Sequence, residues 1–346
     1  SSQQYSVPKY HFNYKAACCF ASRYYLFMQD WDNAIKYATM ALTSNPSSLL
    51  RDYSAIAALP NGTSRHQEYV NSASTANFLL QAATSNSGLL FDWYSTAGRY
   101  SHGKLQGIYE TVQPKKGGPW GSSVTFKAPH AVLASSGKYV LPRTWRVFQY
   151  TDPVAGTGFN KAISVLFTSE EALLNRAEAY IMKMNEDPTA LDKALEDINL
   201  YAANLFSAGF KSMTEASIIK WATETYPDYS ELYVGKTSVS SPQTLNPKKK
   251  LHAAPYNTLE EGGPQESMLQ ALIFMRRYQF LHEGMRWFDT RRFGITVYRY
   301  LLDEDAETVV QITDQISDEN GTADPRRALP LRADVIAAGL TPNPRK

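Results

Sequence analysis

Residues 266–294 read E-S-M-L-Q-A-L-I-F-M-R-R-Y-Q-F-L-H-E-G-M-R-W-F-D-T-R-R-F-G, directly after a Gly262-Gly263-Pro264 break. Proline suits the first turn of a helix, where its missing N–H leaves no bond unmade. Leu269, Ile273, Phe280, Gly284, Trp287 and Phe288 then recur near helical spacing, which predicts one helix over 264–292 with a single buried stripe. Arg277 falls inside that stripe, so its guanidinium needs a carboxylate or carbonyl partner. Glu283, Arg286, Asp289, Arg291 and Arg292 crowd the far end around Trp287 and Phe288. Bulky rings among alternating charges describe a packed joint with internal ion pairs more readily than a ligand site.

Outward from this stretch, two helical hairpins are legible. Over 13–46, a helix from Asn13, a turn at Gln29-Asp30 and a second helix from Trp31 end at Asn45-Pro46. Ala34, Ala38 and Ala41 give the second helix a face small enough for close approach, and its sequence resembles the later part of a tetratricopeptide repeat. Over 168–206, Thr168 or Ser169 is an N-cap followed by Glu170 and Glu171, acids favoured by the helix dipole. Its second helix carries Leu191, Leu195, Ile198 and Leu205. Between the hairpins, residues 90–152 lose helical periodicity and become rich in Gly, Pro, Ser and aromatics. A long irregular stretch displayed by a helical scaffold is a natural recognition face. The rings and polar groups there suit stacking on sugars, and Trp93, Tyr94, Arg99 and Trp120 are the expected ligand contacts.

Composition bounds the partners. A net charge of +2 over 346 residues lacks the basic excess of a nucleic-acid binder. Cys18 and Cys19 are adjacent, an arrangement poorly suited to a disulfide with each other. No phosphate-cradling glycine loop, zinc-spaced Cys/His cluster or G-x-S-x-G elbow occurs, so no cofactor and no metal is expected. Asp314, Asp318 and Glu319 could hold calcium, but their spacing is not that of an EF-hand. Paired carboxylates of the glycosidase kind come from distant positions, so spacing does not test them.

The stretch at 266–294 resembles the C-terminal signature of the SusD/RagB family, outer-membrane nutrient-binding lipoproteins of Bacteroidetes. Arg276, Arg277, Glu283, Gly284, Arg286, Trp287, Phe288, Asp289 and Arg292 match that pattern. Met275 and Gln279 stand where the family usually has Glu, His282 where it has an aromatic and Thr290 where it has Leu. Arg176-Ala177-Glu178-Ala179-Tyr180 is similar to the family's last repeat-like helix. Leu329-Pro330-Leu331, Ile336 and Asn343-Pro344 in the tail (295–346) are similar to its closing motif. The resemblance implies a mainly α, SusD-like domain over 1–346, tetratricopeptide-like hairpins interrupted by a large loop-rich insertion, and a missing N-terminal part. It also implies a non-catalytic, surface-exposed lipoprotein of the outer membrane, lipid-anchored outside this chain. Such a protein captures glycans, or peptides in some members, for a SusC-like TonB-dependent transporter. The rival expectations are a helical-repeat interaction scaffold and a surface glycosidase.

Overall fold

The computed structural model describes residues 5–87, 118–121, 127, 147–206, 210–225, 235, 248–304, 308–318 and 324–345, with backbone alone at 131–133 and 138–140. The first hairpin forms as its sequence predicts. Helix α1 (Tyr14–Phe27) starts at Asn13, whose side chain accepts from Ala16 N, and α2 (Trp31–Leu42) starts at Asp30, which accepts from Asn33 N. Both caps satisfy an N–H that would otherwise lack a partner in the first turn. Ala34, Ala38 and Ala41 are fully buried. Two short helices follow, α3 (Tyr53–Ala58) and α4 (Gly62–Tyr69).

The next elements are strands where the sequence suggested none. β1 (Asn77–Thr84) leads to a small pair, β2 (Ala131–Leu133) and β3 (Lys138–Val140). β4 (Val147–Asp152) and β5 (Thr157–Thr168) then join β1 in an antiparallel sheet of order β1-β5-β4. The expected irregular stretch thus contains a regular strand at its end. β1 is buried over its first four residues and exposed over its last four, and β4 is exposed throughout. Neither shows the in-out alternation by which half-buried strands are recognised.

β5 runs directly into α5 (Ser169–Lys183), with Thr168 capping Glu171 N at 3.0 Å. α5 packs against α1, α2 and α6 (Ala190–Leu205) and is the centre of the helical layer. The first-turn acids are buried there. Glu171 receives two bonds from Arg23 of α1 (2.6 and 2.7 Å), and Glu170 accepts from Arg51 N (2.9 Å). Helix α7 (Glu215–Lys220) continues as a π-turn over Trp221–Thr225.

The stretch predicted as one helix is two: α8 (Pro264–Gln279) and α9 (Met285–Arg292). His282 (φ 65°) and Gly284 (φ 79°) take left-handed conformations between them, which ends one helix and redirects the chain into the next. α8 is not one-sided. All but Pro264, Gln265 and Arg277 are buried, and Arg276, at 2% exposed, is the arginine carried into the core instead of Arg277. A hairpin of β6 (Val297–Leu302) and β7 (Val309–Ile316) follows, and a tail with one short helix, α10 (Ala333–Ala337).

α8 and α9 do form a joint. Arg276 grips Asp289 through Nε and Nη2 (3.1 and 2.9 Å) and donates through Nη1 to Asn175 Oδ1 (2.8 Å). Asn175 in turn donates to Ser22 Oγ (3.0 Å). Arg292 bonds both carboxylate oxygens of Glu178 and the Tyr256 hydroxyl. One network of buried charges therefore ties α1, α5, α8 and α9 together, each guanidinium meeting a carboxylate as desolvation requires.

Candidate functional site

Of the expected recognition face, 90–152, the structure describes 118–121, 127 and β4, with backbone at β2 and β3, and β4 belongs to the β4–β5 hairpin. Its connection is locked by local bonds: Asp152 Oδ1 accepts from Val154 N (2.9 Å) and Ala155 N (3.0 Å), and Gly156 takes φ +67°. A side-chain carboxylate capping two following N–H groups is the usual way Asp stabilises such a turn. The register pairs Phe148 with Asn160, Gln149 with Phe159 and Tyr150 with Gly158. Directly paired residues share a face of the sheet. One face therefore carries Phe148, Tyr150 and Asn160, and the other carries Gln149 and Phe159.

Phe148 is 40% and Tyr150 58% exposed, with ring centroids 4.9 Å apart and planes at 77°. Gly158 is required beneath them. A Cβ there would lie 2.9 Å from the Phe148 ring and would strike the Gln149 carbonyl oxygen. The ring thus lies across a bare backbone, which holds it in place without burying it. On the face of the pair, Asn160 Nδ2 reaches Asn86 Oδ1 at 3.4 Å, whereas Lys161, paired with Val147 on the opposite face, reaches Thr84 Oγ1 at 2.9 Å. Amides beside two fixed rings can donate to and accept from hydroxyls while the rings cover an apolar C–H face.

Of the expected contacts, Trp93, Tyr94 and Arg99 lie outside the described residues. Trp120 is a correction: it is 6% exposed, stacked on Phe274 of α8 (5.1 Å, 20°) and against Phe206 (4.5 Å). The ring fills the helical core and offers no free face to a sugar. Phe148, Tyr150 and Asn160 were not singled out, and residue type alone does not separate them from Trp120. The one available signal was Gly158 opposite a ring in an otherwise strand-forming run.

The acids considered for calcium are otherwise engaged. Asp314 and Asp318 are paired with Arg326 (2.9 Å) and Arg327 (2.8 Å), and Glu319 lies outside the described residues. Among the described residues no group of three or more His, Cys, Asp or Glu gathers around a common point. No described helix is long and apolar enough to cross a membrane.

Solved structures to which the chain is similar are SusD-like or sugar-binding. A candidate sugar binding protein from Bacteroides vulgatus matches at 18% identity and TM-score 0.47, covering 96% of this chain and 59% of its own. A SusD-like protein from Bacteroides fragilis matches at 14% and 0.45, covering 99% and 67%. A SusD superfamily protein from Bacteroides vulgatus matches at 18% and 0.43, covering 95% and 59%. The chain thus spans 59% of the length of the first of them. No family model and no curated protein matches it.

Proposed function

We propose that this protein captures carbohydrate without transforming it, using the β4–β5 face as part of its binding surface. The observation that carries this reading is the Phe148–Tyr150 pair, two rings exposed on a hairpin whose turn and register are fixed. Capture needs a preformed surface and no stabilised transition state, and rigid aromatic platforms meet that need at low entropic cost. Trp93, Tyr94 and Arg99 of the same insertion complete the surface in this proposal. The resemblance of residues 266–294 to the SusD/RagB signature extends it: a lipid-anchored protein of the outer membrane that hands glycan to a SusC-like transporter.

Calorimetric titration with a panel of neutral oligosaccharides tests the proposal. Tyr150→Ala is expected to weaken binding by about 1 kcal/mol, roughly fivefold, while leaving the melting temperature within about a degree. Absence of binding to every member of the panel would sink the reading.

One observation favours a second reading, an interaction scaffold. Tyr14, Phe20, Tyr24 and Phe27 of α1, with Met28 beyond its end, are each 47–64% exposed and form an uncharged stripe of the kind that marks protein contacts. Concentration-dependent sedimentation that Tyr24→Ser abolishes would support it.

A further inference from the structure

We infer that the groove between the last turn of α1 and helix α9 is a binding site for an acidic sugar, a pyranose carrying a carboxylate. The inference rests on the carbohydrate reading above and assigns a second surface to it. The cavity measures about 430 Å³, within the usual range for small-molecule sites. Its walls are Phe27, 47% exposed, and Phe288, 45% exposed. Two phenyl rings left nearly half in water on either side of a cleft are poor core packing and good covers for the C–H face of a sugar ring.

The floor is already built. Tyr256 is 2% exposed, and its hydroxyl donates to Glu178 Oε1 (3.2 Å) and accepts from Arg292 (2.9 Å). The Arg292 guanidinium lies 5.6 Å from the Phe27 ring centroid. On the α1 side, Gln29 holds a left-handed conformation (φ 59°) and its amide donates to Ala254 O at 3.0 Å. These bonds fix the floor and one rim before any ligand arrives, which reduces the ordering cost of binding.

The charge of the lining selects the ligand. Among the described residues that line the groove, the charged side chains are Arg291 and Arg292, and none is an acid. Arg292 is compensated by Glu178 and Asp289. Arg291 is exposed and makes no ion pair with a described acid, so its fork is open to a carboxylate. Aromatic walls with one uncompensated guanidinium at the rim complement a ring with a single negative substituent.

The test compares an oligogalacturonate with a neutral oligosaccharide of matched length, by calorimetry on the whole chain. The oligogalacturonate is expected to bind, more weakly as salt rises, because an exposed ion pair is screened. Arg291→Gln is expected to lower its affinity about tenfold, as loss of a charge-assisted bond does, and to leave binding of the neutral oligosaccharide and the melting temperature unchanged. Tyr150→Ala should show the reverse selectivity. Failure of the oligogalacturonate to bind, or equal binding by Arg291→Gln, would overturn the inference. Binding of the neutral sugar alone would remove this site while sparing the capture reading, and binding of neither would remove both. Self-association abolished by Phe288→Ser would give the groove to a second copy of the chain and overturn the inference as well.

Discussion

Trp120 and Tyr150 are both aromatic, both lie within 90–152, and have opposite fates. Tyr150 stands on a strand with every residue exposed, whereas Trp120 lies between Phe206 and Phe274, with Gly118 leaving room for its indole edge. A substitution at each therefore reads a different property. Trp120→Ala removes a large buried ring and leaves a cavity among rigid neighbours, so it is expected to cost about 3–5 kcal/mol of stability. Denaturant unfolding checks this, and a midpoint close to that of the parent chain would return Trp120 to the ligand surface. The type of a side chain announces that a ring is present, and only its neighbours decide whether the ring is spent inside or offered outside.

The elements differ in how openly they declare themselves. The α1–α2 and α5–α6 hairpins were legible because caps and small residues are local signals: Asn13, Asp30 and Thr168 each accept from the backbone three residues on. The break between α8 and α9 was hidden, since apolar residues continue through Phe280 and Leu281 and only backbone dihedrals mark the bend. Gly284 is the test of that bend. At φ 79° a Cβ meets nothing within 4 Å, so the penalty of Gly284→Ala is conformational and not steric. A left-handed alanine is expected to cost roughly 1–2 kcal/mol, measurable as a lowered midpoint in urea, and a neutral result would mean that the chain can turn there in another way. The sheet was missed for a third reason. β1 changes from buried to exposed halfway along and β4 is exposed on both faces, so neither had an alternating pattern to find. The arginine of α8 was misassigned by one residue because a helix buried on nearly every side has no single stripe to read.

At the scale of the molecule, the charged joint contributes to the response to acid. Burial pushes the Asp289 carboxyl up, but Arg276 and Arg292 outweigh it and hold it below the ordinary carboxylate range. A depressed folded value means stability that is fully present above the unfolded value, about 3.9, and is lost as pH falls through the folded one. Because the network spans four helices, that loss should register as one cooperative transition in circular dichroism. Asp289→Asn is expected to cost about 3–5 kcal/mol near neutral pH, since it strands a buried guanidinium, and to flatten the stability profile below about pH 4. An unaltered acid limb would assign that transition to other carboxylates. The pairing of β1 with β5 has a different consequence. Thr84 faces Lys161 across the ladder, and Ser85 N bonds Asn160 O at 3.1 Å, so everything between departs from and returns to adjacent positions on one edge of the scaffold. Lengthening a loop anchored in this way costs only logarithmically. The segment proposed to meet the ligand can thus be exchanged for one of another size or specificity while the helices stay as they are, provided the replacement restores a ring where Trp120 plugs the core.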